Sequence, residues 1–130
     1  MKIVSWNVNG VRAVMKKDFE SIAAELGADI LGLQETKAQD DQVSEALASV
    51  DYENLFSSSA EKKGYSGTAL LSKEKPNAVE EGIGIPEHDT QGRVVTAEYE
   101  NFFVINVYVP NSGNGLSKLD YRETWDRSFL

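Results

Sequence analysis

The stretch Lys2-Ile3-Val4-Ser5-Trp6-Asn7-Val8-Asn9-Gly10, read together with Asp29-Ile30-Leu31-Gly32-Leu33-Gln34-Glu35-Thr36-Lys37, decides the fold. Lys2 to Val8 is rich in β-branched and aromatic residues. Its alternation puts Ile3, Ser5 and Asn7 on one face and Val4, Trp6 and Val8 on the other, the pattern of a strand. From Val11 the apolar residues Val11, Val14, Met15, Phe19, Ile22, Ala23 and Leu26 recur at helical spacing, and Gly27 stands where a helix ends. Asp29 to Leu33 is a second strand. Strand, helix and strand make a βαβ unit, whose right-handed crossover leaves the two strands parallel and adjacent. Asn7 and Glu35 then emerge at one sheet edge, the carboxyl-end edge at which open α/β sheets bind ligands.

A side-chain carbonyl and a carboxylate at one point are hard oxygen donors, suited to Mg²⁺, Mn²⁺ or Ca²⁺ rather than to a thiophilic metal. Mg²⁺ commonly takes only one or two carboxylates and keeps its other positions for water and phosphate oxygens, so phosphate chemistry is the function this pair points to. The same residues also suit a plainer arrangement, in which Asn7 closes a turn and Glu35 is a solvated residue after a strand. Spacing alone leaves both open.

With 130 residues the chain is at most one domain, long enough to bury a core without metal or disulfide staples. It has no cysteine, which excludes a structural disulfide, a thiolate nucleophile and a zinc-thiolate site. The amino terminus has no basic region, apolar signal core or cleavage site, and no run approaches a membrane span; a cytoplasmic protein away from membranes is expected. The formal charge of −8 runs against a nucleic-acid partner, because duplex binding relies on Lys and Arg to neutralise phosphates. Its distribution weakens that objection. Residues 1–34 carry four basic and four acidic groups and residues 101–130 three of each, whereas residues 35–60 carry one against six. Arg12, Lys16 and Lys17 on the first helix, and Lys62 and Lys63 in a loop, remain as positive clusters; a solvated face is the ordinary reading of Lys16 and Lys17.

Further along, Val43, Ala46, Leu47 and Val50 lie on one face of a short amphipathic helix over Gln39 to Val50. Tyr52 to Phe56 reads as a strand, Ser57 to Gly64 as a loop, Gly67 to Ser72 as a strand and Lys73 to Asn77 as a turn. Ala78 to Ile85 is a weaker strand. Arg93 to Tyr99 and Phe102 to Val109 are the most strand-like runs, joined by Glu100-Asn101 as a tight antiparallel hairpin. The coarse architecture is one mixed sheet unit covered by helices, without repeats or linkers. Tyr108-Val109-Pro110-Asn111-Ser112-Gly113 leaves a strand for a glycine-containing loop, where Tyr108 and Asn111 can be fixed at the sheet edge to grip a phosphate. A buried tyrosine and an asparagine that closes its own turn is the alternative. A last helix runs from Ser117, as cap, through Leu119, Tyr121, Arg122, Trp125 and Phe129, and stops without a closing glycine or polar tail, the pattern of a fragment. His88 is expected in a surface loop, and no Ser/His/Asp triad can be assembled around it.

Four separated segments together resemble one family: Ser5-Trp6-Asn7-Val8-Asn9-Gly10-Val11-Arg12-Ala13, Leu33-Gln34-Glu35-Thr36-Lys37, Gly64-Tyr65-Ser66-Gly67-Thr68-Ala69-Leu70-Leu71 and Tyr108-Val109-Pro110-Asn111-Ser112-Gly113. With Gly92-Arg93-Val94-Val95 and Leu119-Asp120-Tyr121-Arg122-Glu123-Thr124-Trp125 they resemble, in order, the exonuclease III family of abasic-site endonucleases. The wider superfamily is that of endonucleases, exonucleases and phosphatases. The resemblance implies an α/β fold, a four-layer αββα sandwich of which residues 1–130 form the amino-terminal part and about the first half. It also implies Mg²⁺-dependent hydrolysis of DNA phosphodiesters, with Mn²⁺ as a substitute. The substrate would be double-stranded DNA with abasic sites or 3′ ends, and the full-length protein a monomer. On this pattern Glu35 is the main metal ligand with Asn7 beside it, Tyr108 orients or stabilises the scissile phosphate and Asn111 helps to hold it. Arg12, Lys37, Tyr65, Gly67 and Arg93 lie along the DNA-facing edge or support the site.

Two positions depart from the pattern. Asn9 stands where some members have aspartate, and Asn114 where some have a basic residue directed at DNA. The family continues past Leu130 with the aspartate that activates water, its asparagine neighbour and a His/Asp pair, so these residues hold the metal and phosphate side of a site and not its nucleophile side. A partner sheet over the apolar face is expected to be missing as well. The alternatives are a truncated, non-catalytic DNA-binding or interaction module, and a phosphatase of the same superfamily.

Overall fold

The computed structural model describes residues 1–111 and 119–130. Strand β1 (Ile3–Asn7) leads into helices α1 (Val11–Met15) and α2 (Phe19–Leu26), then strand β2 (Ile30–Gln34) and helix α3 (Asp40–Ala46). Strands β3 (Asn54–Ser58), β4 (Thr68–Ser72) and β5 (Ala78–Glu81) follow, then the short helix α4 (Pro86–Asp89), the hairpin β6 (Val94–Glu98) and β7 (Phe103–Val107), and helix α5 (Leu119–Phe129). The expected βαβ unit is present: β1 and β2 are parallel, with Asn7 opposite Gln34.

The single helix expected between β1 and β2 is two helices. Asp18 adopts a left-handed conformation (φ 66°) and breaks the run after the exposed pair Lys16 and Lys17, which therefore sit in a turn. The break redirects the chain so that Phe19 is fully buried and stacks on Trp6, ring centroids 4.9 Å apart. Helical spacing of apolar residues survives such a break, which is why the sequence pattern reads as continuous. Helix α3 starts with a capping box, the Gln42 side chain accepting the Gln39 N–H at 2.9 Å.

The strands form two sheets. One has the order β1-β2-β4-β3 and the other β5-β6-β7. Leu31, Leu33, Ala69 and Leu71 on the outer face of the first pack against Val11, Phe19, Ala23, Val43 and Leu47 of the three helices. Its inner face presents Ile30 and Leu70 to Val95, Ala97 and Tyr99 of the second sheet. With a layer against each face, every residue of β2 and β4 is buried. The expectation of a missing partner sheet is corrected: residues 78–107 supply one, because the hairpin folds back over the first sheet. What stays open is narrower, namely Ile3 on edge strand β1 and Phe103 and Ile105 on β7, which are 53%, 64% and 54% exposed.

His88 is also corrected. It lies in α4, is 3% exposed, and its Nε2 is 3.1 Å from Ser128 Oγ of α5, forty residues away in sequence. A local reading of Pro86-Glu87-His88-Asp89 cannot anticipate a cover supplied from so far along the chain. The cap Ser117, the loop residues Ser112 and Gly113, and Asn114 lie outside the described residues. No helix among the described residues is long and apolar enough to cross a membrane.

Candidate active site

The ends of β1, β2 and β7 and the starts of β4 and β6 meet at one end of the sandwich, and the backbone there is knitted together beyond the regular ladders. Gly10 and Val11 donate to the carbonyls of Glu35 and Thr36 (2.8 and 2.9 Å), while Thr36 and Lys37 donate to those of Gly67 and Ser66 (3.1 and 2.8 Å). This crossing of loops forces unusual dihedrals. Asn9, Glu35, Lys37 and Ser66 all have positive φ (48°, 59°, 52° and 54°), and among the described residues Asp18 is the only other non-glycine that does. Such conformations are typically tolerated where the surroundings over-determine them, and they gather at functional sites.

Glu35 is the centre. Its Oε1 accepts the Tyr108 hydroxyl at 3.1 Å and the Asn7 Nδ2 at 3.3 Å, and its Oε2 pairs with Lys37 Nζ at 3.2 Å. Burial acts to raise the Glu35 pKa, but the donated hydrogen bonds of Lys37, Asn7 and Tyr108 and the Lys37 charge together outweigh it and hold the carboxyl below the usual range. The carboxylate is thus kept ionised. Tyr108 moves the other way: burial, then the Glu35 charge and hydrogen bond, push its phenol up, with Arg93 opposing. Its proton stays on the phenol, facing the carboxylate. Lys37 also donates to Asn9 Oδ1 at 2.7 Å, so the asparagine at a position where the resemblance admits aspartate is tied to the same ammonium.

The sequence-derived residues divide clearly. Asn7, Glu35, Lys37 and Tyr108 converge. Arg12 donates to the Lys37 carbonyl at 2.9 Å and is exposed beside them. Arg93 is 5% exposed, buried beside the two tyrosines rather than open on the edge. Its guanidinium donates to Gln91 Oε1 (2.8 Å), to the Tyr108 carbonyl (3.1 Å) and to the Tyr65 hydroxyl (3.0 Å). It also lies 5.1 Å from the Tyr108 ring centroid and 5.8 Å from that of Tyr65, so it binds both phenols to one frame. Gly67 has φ 91°, and a Cβ there would come within 2.2 Å of Thr36 Oγ1. Asn111 is exposed just past the buried Pro110, whose carbonyl accepts from Arg122 at 3.0 Å.

Sequence reasoning missed one part of this end of the molecule: Gln34 and Asn106, two buried amides (8% and 6% exposed) that meet between the sheets. Asn106 stands in the apolar run Phe102 to Val109 at the inward-facing parity of Val104. A polar residue at such a position is a signal by itself, because it must find a partner inside.

Among the described residues there is no group of three or more His, Cys, Asp or Glu side chains able to hold a metal. A site built on one carboxylate suits Mg²⁺ or Mn²⁺, which would take Glu35 oxygen together with water and phosphate oxygens; it suits a nitrogen- or sulfur-seeking metal badly. Asn7 Oδ1 here accepts the Asn9 N–H at 3.0 Å, so it would join Glu35 as a ligand only after its amide turned over.

Residues 4–130 match the endonuclease/exonuclease/phosphatase family. The chain belongs to that family. It is 55% identical over its whole length to an exodeoxyribonuclease of Bacillus subtilis, of which it covers 51%. It is 45% identical over 99% of its length to a DNA-(apurinic or apyrimidinic site) endonuclease of Dictyostelium discoideum, of which it covers 36%. Among solved structures, a Neisseria 3′ phosphatase bound to a product DNA hairpin superposes with a TM-score of 0.78 at 32% identity, covering 99% of this chain and 49% of that one. The chain thus spans about half the length, or less, of these relatives. The two sheets and the helices on the first are the endonuclease/exonuclease/phosphatase arrangement, as the resemblance implied.

Proposed function

We propose that the complete protein is a DNA repair nuclease that hydrolyses phosphodiesters of double-stranded DNA at abasic sites and from 3′ ends, with Mg²⁺ or Mn²⁺ bound at Glu35, and that it acts as a monomer. The observation that carries this reading is the convergence of Lys37, Asn7 and Tyr108 on the two oxygens of Glu35, in a chain 55% identical to an exodeoxyribonuclease. The cation, when bound, polarises a phosphoryl oxygen and stabilises developing charge. This chain's residues do the rest of the positioning. Glu35, held ionised by Lys37, provides the charge that binds the cation. Tyr108 keeps its proton and turns its hydroxyl from Glu35 to the scissile phosphate, with Arg93 behind its ring adding positive potential. Asn111 holds the same phosphate, and Arg12 and Tyr65 meet the DNA backbone beside it. Residues 1–130 contribute the metal and phosphate side of a single domain whose other part activates the water.

The test is nicking of an abasic duplex by the complete gene product with Mg²⁺. Nicking that EDTA stops and that Glu35→Ala abolishes is the expected result; a protein that binds Mg²⁺ yet leaves abasic and 3′-recessed duplexes intact refutes it. A second reading, phosphatase action, is favoured by the Neisseria neighbour described as a 3′ phosphatase. It predicts phosphate release from a 3′-phosphorylated end without strand cleavage.

A further inference from the structure

The interface between the two sheets changes character along its length. At one end it is apolar and without direction, Ile30 and Leu70 against Ala97 and Tyr99. At the end next to Glu35 and Tyr108 it is a set of directed hydrogen bonds. Gln34 Nε2 donates to Asn106 Oδ1 at 2.7 Å and to Ser5 Oγ at 3.0 Å. Asn106 Nδ2 in turn donates to the Leu33 carbonyl at 3.0 Å and to the Ala69 carbonyl at 2.7 Å. Four strands, β1, β2, β4 and β7, are thereby joined through two amides. Both hydrogens of the Asn106 amide and its oxygen are satisfied.

The placement of the pair gives it a consequence. Gln34 immediately precedes Glu35, and Asn106 lies two residues before Tyr108 on β7. The Tyr108–Glu35 contact of 3.1 Å crosses from one sheet to the other, and a hydrogen bond tolerates only a few tenths of an ångström of slip. Apolar packing resists separation of sheets far better than it resists sliding, because it has no direction. The amide pair supplies the direction. Gly32 makes room for it: a Cβ at that position would lie 3.0 Å from Asn106 Oδ1 and 3.1 Å from Cγ.

We propose that Gln34 and Asn106 are positioning residues, whose buried amide pair fixes the second sheet on the first so that the Tyr108 hydroxyl meets the Glu35 carboxylate. Their effect on catalysis rests on the nuclease reading above; their effect on geometry does not. Neither residue touches the substrate. Glu35 and Asn7 both belong to the first sheet, so Mg²⁺ binding is independent of the pair, whereas the contribution of Tyr108 depends on it.

Three variants test this in the complete protein: Asn106→Leu, Gln34→Met and Gly32→Ala. The last removes no hydrogen-bonding group and displaces the amide by a few tenths of an ångström. Each is expected to lower kcat for abasic nicking by about 10–100-fold, with KM and the Mg²⁺ affinity from calorimetry within about twofold of the starting protein. Adding Tyr108→Phe to any of them costs at most about twofold more, although alone it costs as much as they do. An activity-free readout uses protein labelled with ¹³C at the tyrosine Cζ, assigned through Tyr108→Phe. The Tyr108 signal moves toward that of an unbonded phenol in all three variants and stays in place in Ile30→Val, which weakens the apolar end of the same interface. Folded variants that keep kcat, or lose it with a fully additive Tyr108→Phe penalty, overturn the assignment, as does an unmoved Cζ signal. Should Asn106→Leu fail to fold, Gly32→Ala answers the question alone. Should the starting protein fail to nick DNA, the nuclease reading falls, and the Cζ signal still decides whether the pair positions Tyr108.

Discussion

Gly67 lies at the crossing of three loops, and replacing it by alanine separates two kinds of cost. The first is the backbone. At φ 91° an L-residue is strained, by about 1–2 kcal/mol on the scale of left-handed conformations, partly offset by about 0.4–1 kcal/mol from a stiffer unfolded chain. The second is steric. The new methyl would sit 2.2 Å from Thr36 Oγ1, and Thr36 is 1% exposed, so the clash has no outlet into solvent and costs about 1–3 kcal/mol, as overpacking does. The net loss is about 2–4 kcal/mol. Gly64, in the same segment, has φ 70° and nothing within 4 Å of its added Cβ, so Gly64→Ala costs about 1 kcal/mol from the backbone alone. Urea unfolding of both variants measures the difference. Thr36→Ala removes the clashing oxygen, so in that background Gly67→Ala falls to the cost of Gly64→Ala. Thr36 sits between Glu35 and Lys37, and on the proposed function the unrelieved variant of the complete protein also loses abasic nicking. Equal costs for the two glycines, or no rescue by Thr36→Ala, would refute the steric argument.

Other outcomes follow from the same geometry. Ser66→Gly relieves a left-handed residue and removes a buried hydroxyl that has no hydrogen-bond partner among the described residues. Against the entropy of glycine it should stabilise the protein by about 1–2 kcal/mol in thermal unfolding. Arg93→Lys keeps the charge but not the three-way fork to Gln91, Tyr65 and Tyr108, and costs about 2 kcal/mol by urea unfolding together with kcat; an unchanged kcat would deny Arg93 its supporting role. The depressed Glu35 pKa stabilises the fold above the ordinary carboxyl pKa, and this contribution is lost as pH falls through the folded value. Without metal, the stability difference between the protein and Glu35→Gln should therefore be full near neutrality and shrink on acidification, and a pH-independent difference would contradict it.

Much of the site was legible in the chain because its residues stand at strand ends. Alternation in Lys2 to Val8 and the glycine-terminated helical spacing after it are local signals, and they suffice to bring Asn7 beside Glu35. The hairpin of β6 and β7 is equally local, and it carries Tyr108 and Arg93 together, with Tyr108 N–H donating to the Arg93 carbonyl at 2.8 Å. What resisted reading depends on contacts between distant segments. His88 is covered by α5, Arg93 is held by Tyr65 from 28 residues upstream, and Gln34 meets Asn106 across 72 residues. The break at Asp18 is a different case, since a left-handed turn between two short helices preserves the apolar spacing that a single long one would have.

The left-handed residues at the edge of the sandwich set stability and function against each other. At Glu35, Lys37 and Ser66 glycine would relax the backbone, and at the first two it would also erase the side chains that meet at the carboxylate. A population of variants screened only for resistance to heat would therefore accumulate changes around this edge, because the strain there is the nearest available reserve. One screened for DNA cleavage would keep the strain and find its stabilising changes elsewhere, for example on the exposed β7 face around Phe103 and Ile105. Comparing where the two populations change would outline the site without any substrate bound.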